Sequence, residues 1–223
     1  MIINEINKRI STSIFLLIIL FLTFEYSYFL IITIITIGII SWIEFYSLIS
    51  KIFTLEETKH KIFRFLSKSL SLLFVMFLVF FIISITTYEK NLVIFIVYSL
   101  FVAIASDIGG LTFGKIFKGK KLTKISPKKT ISGSIGSFIF SLILIPFFLN
   151  NFMSYSLISV IIITMLISLI SQLGDLSISY LKRKAKVKNT SNLLPGHGGL
   201  LDRIDGIIFA IPFGFVLFNF FRI

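Results

Sequence analysis

Residues 172–205 hold three of the chain's ten acidic residues, six of its 22 basic ones and a glycine-rich turn. Gln172, Asp175, Ser179 and Lys182 recur at steps of three or four, so a helix through residues 161–183 presents them as one polar stripe on an apolar rod. The run Pro195-Gly196-His197-Gly198-Gly199 interrupts regular helix, because proline lacks an amide donor and glycine reaches backbone angles that other residues avoid. A turn of that composition can aim several N–H groups at an anion. Asp202 and Asp205 follow at i and i+3 and supply carboxylates at the next helical start. Hard oxygen ligands beside Lys and Arg are the chemistry of Mg2+ and phosphate. The same features also have plainer readings. Asp205 caps a helix, the turn is only a turn, and the juxtamembrane cations touch lipid headgroups.

The elements that must carry these residues are membrane helices. A chain that is 56% hydrophobic, with 27 Phe and a mean hydropathy of +1.00, has far more apolar surface than one water-soluble core needs. The expected fold is all-α and polytopic, with about seven transmembrane helices near residues 10–24, 29–49, 69–87, 92–105, 135–149, 157–173 and 207–221. It reads as a single membrane domain, with N-terminal membrane helices in residues 1–106 and a C-terminal catalytic region in residues 107–223. The first 20 residues mimic a signal peptide, but no small-residue cleavage site follows, and they are expected to stay as a first span. With the N-terminus inside, the loops at residues 50–69, 109–133 and 174–205 share one side and carry 18 of the 22 basic residues, as the positive-inside rule requires.

Other positions add to this frame. Glu44 lies beside Trp42 toward the end of the second span, where it either snorkels to the interface or faces the bundle interior and pairs with a loop cation. The interfacial reading is preferred. Residues 51–68 fit an amphipathic surface helix containing Ile62, Phe63, Phe65 and Leu66, with His60 as a solvated loop residue. Asp107 stands at membrane depth immediately before Gly109-Gly110, read as a flexible pair. Residues 111–130 carry seven Lys and no acid, a fixed positive potential that attracts polyanions.

Several function classes fall away. There is no Cys, so disulfides, thiolate catalysis and Cys-ligated metals are excluded. The net charge of +12 is distributed over loops between apolar spans, and no groove-reading element exists for nucleic acid. Walker A, HExxH and GxSxG patterns are missing, as is the Asp-Gly-x-x-Ala-Arg pattern of the CDP-alcohol phosphotransferases. An anion channel or transporter would need polar residues inside several spans rather than in one-sided loops.

Ser179-Tyr180-Leu181-Lys182-Arg183, then Lys188, then Leu194 through Asp205 (LPGHGGLLDRID) resembles the signature of the phosphatidate cytidylyltransferase, or CDP-diglyceride synthase, family. Ser126-Pro127-Lys128-Lys129-Thr130 followed by Gly133 is similar to a second block of that family. The resemblance is strong over residues 107–206. Two positions depart from it: Asn189 and Ser132 stand where the family has acidic residues. The resemblance implies transfer of a cytidylyl group from CTP to phosphatidate, giving CDP-diacylglycerol and pyrophosphate. A CTP-dependent kinase acting on a polyprenol-type lipid is the alternative. Under this resemblance Asp175, Asp202, Lys182 and Arg203 are catalytic, and Asp175 and Asp202 ligate Mg2+, with Asp205 and Asp107 as further ligands. Ser126, Lys128, Lys129, Thr130, Ser179, Arg183, Lys188, His197, Gly198 and Gly199 would bind substrate phosphates or shape the turn. The implied partners are CTP, phosphatidate and membrane lipid, with no nucleic acid; the oligomeric state is left open, a homodimer being one option. The expected setting is a bacterial cell inner membrane, with the catalytic loops facing the cytoplasm.

Overall fold

The computed structural model describes residues 14, 18, 19, 21–23, 25–53, 58–195 and 198–221. The helices are α1 (Ser27–Ile52), α2 (Thr58–Tyr88), α3 (Val93–Ile116), α4 (Ile131–Ile143), α5 (Ile145–Phe148), α6 (Leu157–Lys184), α7 (Leu201–Ile204) and α8 (Ile207–Phe220), with 3-10 turns at Lys90–Leu92 and Leu149–Phe152. Pairing in β geometry among the described residues is limited to two isolated bridges.

Five of the described helical stretches are long and apolar enough to cross a membrane: Ser27–Ile52, His60–Tyr88, Lys90–Ile116, Ile131–Phe152 and Leu157–Lys184. The protein is an all-α, polytopic integral membrane protein, as its composition predicts. Of the seven expected spans, the first falls largely outside the described residues. The last, α8, has 14 residues. At 1.5 Å per residue that is about 21 Å, short of a hydrocarbon core of about 30 Å.

Two expectations change. Among the described residues of the connector before the second long span there is no separate surface helix, because α2 starts at Thr58 and continues without a break to Tyr88. Ile62, Phe63, Phe65 and Leu66 lie exposed on its first turns. Gly109 and Gly110 do not end α3, which runs on to Ile116. Their role is close approach rather than flexibility. A Cβ on Gly109 would lie 2.3 Å from the Gly136 carbonyl oxygen, and one on Gly133 would lie 2.7 Å from that of Gly110. Where lipid removes the hydrophobic drive between helices, such backbone proximity is what packs α3 on α4.

The chain forms two compact units, one from Met1–Ser84 with Leu181–Ile204 and the other from Ile85–Tyr180 with Asp205–Ile223. The second has a ring-filled core in which Phe95 and Phe218 stack with centroids 4.7 Å apart and the Tyr98 and Thr164 hydroxyls share a 2.6 Å hydrogen bond. Toward the other end of its helices the contacts turn polar. The Ser137 hydroxyl donates to the Ser106 carbonyl at 2.7 Å, Ser168 donates to the Ser106 hydroxyl at 3.0 Å, and Ser134 donates to Gln172 Oε1 at 2.6 Å. These bonds tie α3, α4 and α6 together at the level from which Asp107 and Asp175 project. In the first unit, α1 and α2 meet where Gly38 faces Val79, and the Lys68 ammonium sits 3.3 Å from the Tyr46 ring centroid.

Candidate active site

The lysine-rich loop is folded, not a loose coil. Lys118 and Gly119 turn the chain with positive φ, and residues 120–122 then pair with 129–131. Ile131 N donates to Lys120 O at 3.0 Å and Leu122 N donates to Lys129 O at 2.8 Å. Thr130 caps α4, its hydroxyl accepting from Gly133 N at 3.1 Å. Ser132 donates to the Lys118 carbonyl and lies 3.0 Å from the Thr130 hydroxyl. A neutral side chain at position 132 thus closes the loop onto the helix. Ser126 shapes the turn, its carbonyl accepting from Lys129 N at 3.0 Å, while Lys128 stays exposed.

This hairpin delivers the Lys129 ammonium to the Asp175 carboxylate, with which it is ion-paired. The Ser179 hydroxyl donates to Asp175 Oδ1 at 3.3 Å, and Asp107 lies within electrostatic reach of both Asp175 and Lys129. The helix spacing read from the sequence holds, since α6 is continuous from Leu157 to Lys184. Asp205, in the same unit, is buried and accepts from Gly206 N at 2.9 Å at the start of α8.

In the other unit, residues 182–202 form a second cluster. Leu194 and Gly198 exchange backbone bonds of 2.8 and 3.0 Å across Pro195, closing a tight loop in which Gly198 has φ +88°. Gly196 and His197 lie outside the described residues. Lys182 Nζ donates to Asp202 Oδ1 at 2.6 Å. Asp202 Oδ2 accepts from Thr190 N at 2.8 Å, Gly199 N at 3.1 Å and the Thr190 hydroxyl at 3.0 Å. Burial alone would push the Asp202 carboxyl up, but the Lys182 ammonium and the two backbone N–H groups outweigh it and hold it below the usual carboxylate range. Arg183, Lys188 and Arg203 are exposed around this pair.

The glycine-rich turn differs from the sequence expectation. Among the described residues from Gly198 to Leu201, Gly198 N goes to the Leu194 carbonyl and the next three N–H groups go to the protein's own carboxylates. Gly199 N goes to Asp202, while Leu200 N and Leu201 N go to Glu44 at 3.0 and 2.9 Å. Glu44 itself does not snorkel to the interface. It is 3% exposed and also accepts from the Thr190 and Ser191 hydroxyls, each at 2.6 Å. Sequence reasoning missed Thr190 and Ser191 altogether. For Glu44 the signal is an acid inside an apolar span, and the interfacial environment expected from its neighbour Trp42 is not the buried one it occupies.

Each cluster is a carboxylate held by a lysine and a hydroxyl, a resting arrangement in which charges cancel. A phosphate can take the lysine from its carboxylate, and a cation can take the carboxylate from its lysine. Such a site suits polyanionic substrates at the surface of a helical membrane protein.

The comparisons agree with that class. Residues 2–221 match the model of the cytidylyltransferase family, and the chain belongs to it. It is 40% identical over 129 residues to the phosphatidate cytidylyltransferase of Bacillus subtilis (strain 168), covering 57% of this chain and 48% of that protein. It is 39% identical over 138 residues to that of Rickettsia typhi (58% and 60% covered), and 37% identical over 128 residues to that of Helicobacter pylori (57% and 48%). The chain spans about half the length of the curated relatives it matches.

Proposed function

We propose that the protein transfers the cytidylyl group of CTP to phosphatidate, releasing pyrophosphate and forming CDP-diacylglycerol. The observation that carries this reading is the family match over residues 2–221, which spans both lysine–carboxylate clusters. A phosphate oxygen of phosphatidate attacks the α-phosphorus of CTP; the new P–O bond forms as the bond to the pyrophosphate oxygen breaks. The nucleophile is already an oxyanion, so no strong base is needed. What the protein must supply is positioning and positive charge where the pyrophosphate leaves.

Lys129 and Lys182 are the central cations of this reading, each delivered by a folded loop or helix end and each able to exchange its carboxylate for a phosphate oxygen. Lys128, Arg183, Lys188 and Arg203 are exposed cations for the outer phosphates. Asp175 and Asp202 are the proposed Mg2+ ligands, with Asp107 and Asp205 as further carboxylates. The donor chemistry fits: Asp107 and Asp175 offer hard oxygens within electrostatic reach of one another, with an ammonium already seated on Asp175. Among the described residues no three acidic or imidazole groups converge on one point. Mg2+ typically uses one or two carboxylates and completes its shell with substrate phosphates and water. The metal, when bound, would offset the repulsion between two anionic substrates. Asp202 would offer Oδ1 only by exchanging Lys182.

The proposed setting is the cytoplasmic face of a bacterial inner membrane, a reading supported by the basic residues gathered in one-sided loops, as the positive-inside rule expects. The test is product analysis with purified protein, labelled CTP, phosphatidate and Mg2+. Label in CDP-diacylglycerol with released pyrophosphate supports the proposal; release of CDP and a newly phosphorylated lipid alcohol would support a lipid kinase instead.

A further inference from the structure

We propose that Glu44, on the membrane-spanning helix α1, is a positioning residue for the reaction: it fixes Thr190, Ser191, Leu200 and Leu201 and, through Thr190, sets the Asp202 carboxylate. The role in turnover rests on the activity proposed above; the anchoring itself does not.

Glu44 lies about 12 Å inside the C-terminal end of α1 at Ile52. A carboxylate buried at that depth costs several kcal/mol unless every lone pair is satisfied. Here Oε1 accepts from the Ser191 hydroxyl and Leu200 N, and Oε2 accepts from the Thr190 hydroxyl and Leu201 N. Those four bonds fill the acceptor capacity of an ionised carboxylate, and all four donors come from one loop. Thr190, Ser191, Leu200 and Leu201 are therefore held together on this one group.

The chemistry requires an acid and not merely a polar side chain. A Gln at position 44 places an NH2 where one oxygen stands. In either orientation that NH2 meets a peptide N–H, of Leu200 or of Leu201, and a peptide N–H cannot reverse as a hydroxyl can. The glycine of the motif follows from the same nesting. A Cβ on Gly199 would lie 1.9 Å from the Thr190 hydroxyl oxygen and 2.6 Å from Glu44 Oε2.

Thr190 carries the effect to Asp202. Its hydroxyl oxygen lies 2.6 Å from Glu44 Oε2 and 3.0 Å from Asp202 Oδ2, and its one proton is shared between them. Its backbone N–H donates to the same Asp202 oxygen at 2.8 Å. Displacing Thr190 therefore displaces two of the bonds that aim Asp202.

The full chain, purified in lipid nanodiscs as wild type, E44Q, T190V and T190S, tests this by hydrogen exchange across residues 190–202 and by steady-state kinetics. In E44Q, exchange at Leu200 and Leu201 should rise by about tenfold or more. Its kcat should fall by about tenfold or more while KM for CTP stays within about threefold, the split expected for misaimed chemistry rather than lost binding. T190V, which leaves the other three bonds to Glu44 in place, should lose kcat in the same way, and T190S should restore it. Unchanged exchange in E44Q overturns the anchor whatever the enzyme does. Faster exchange with wild-type kcat in both E44Q and T190V overturns the positioning role. If E44Q does not fold, the contrast between T190V and T190S decides the matter alone. A wild-type protein that transfers no cytidylyl group overturns the role in turnover along with the activity, and exchange still decides the anchor.

Discussion

Lys182 Nζ lies 2.6 Å from Asp202 Oδ1, so a residue expected to bind phosphate and one expected to bind metal hold each other. The two side chains are mostly buried, at 13% and 9% exposure. Removing Lys182 leaves the Asp202 charge to its N–H and hydroxyl donors alone, a loss of at most the roughly 3–5 kcal/mol of breaking a buried pair. Lys182→Met should lower the thermal unfolding midpoint in detergent more than Lys182→Met combined with Asp202→Asn, a comparison that scanning fluorimetry makes directly.

Asp175→Asn and Asp202→Asn should each lower turnover by about a hundredfold, corresponding to about 3 kcal/mol of lost charge stabilisation, while membrane insertion is retained. Titrating Mg2+ checks the assignment. Near-normal rates at every Mg2+ concentration in one variant would remove that residue from metal binding.

Lys128 and Lys129 occupy adjacent positions but different environments, since Lys129 pairs with Asp175 and Lys128 is exposed. Lys129→Ala should mainly lower kcat. Lys128→Ala should mainly raise the apparent KM for CTP or phosphatidate, and only at low ionic strength, because an exposed charge is screened by salt. Kinetics at two salt concentrations separate the two effects.

These pairings show what the sequence made legible and what it did not. The spans, the lysine-rich loop and the acid-bearing turn follow from local composition, because each is a property of neighbouring residues. The destination of the turn's N–H groups does not, since Glu44 is 156 and 157 residues away from the Leu200 and Leu201 amides it accepts from. Gly109-Gly110 misled for a related reason. A glycine pair reads as a breaker in isolation, and only the facing Gly133 and Gly136 reveal it as a contact surface.

Asp202 also sets an acid dependence. Its folded carboxyl is held below the usual value of about 3.9, so its contribution to stability is complete above that pH and is lost as pH falls further, through the folded value. The unfolding midpoint of the wild type should therefore show no Asp202-dependent change from neutral pH down to about 4, and fall below it. Asp202→Asn should remove that part of the acid loss.

At Asn189, the side chain lies beside Gly198, where a Cβ would come within 3.3 Å of its amide carbon, and the residue is exposed. Asn189→Asp should change the rate by less than about tenfold, or 1.4 kcal/mol, since solvent screens an added charge there. A wild-type chain with no activity that Asn189→Asp restores would overturn that expectation.

The most direct test of the account follows two labels through one reaction. Purified protein is given phosphatidate, Mg2+ and CTP labelled at either the α- or the γ-phosphate, and the lipid and aqueous products are separated. The account predicts α-label in the lipid as CDP-diacylglycerol and γ-label in released pyrophosphate, with both formed about a hundredfold more slowly in Asp175→Asn. Label from the γ-phosphate in lipid with free CDP, or no labelled lipid from either nucleotide, would contradict it.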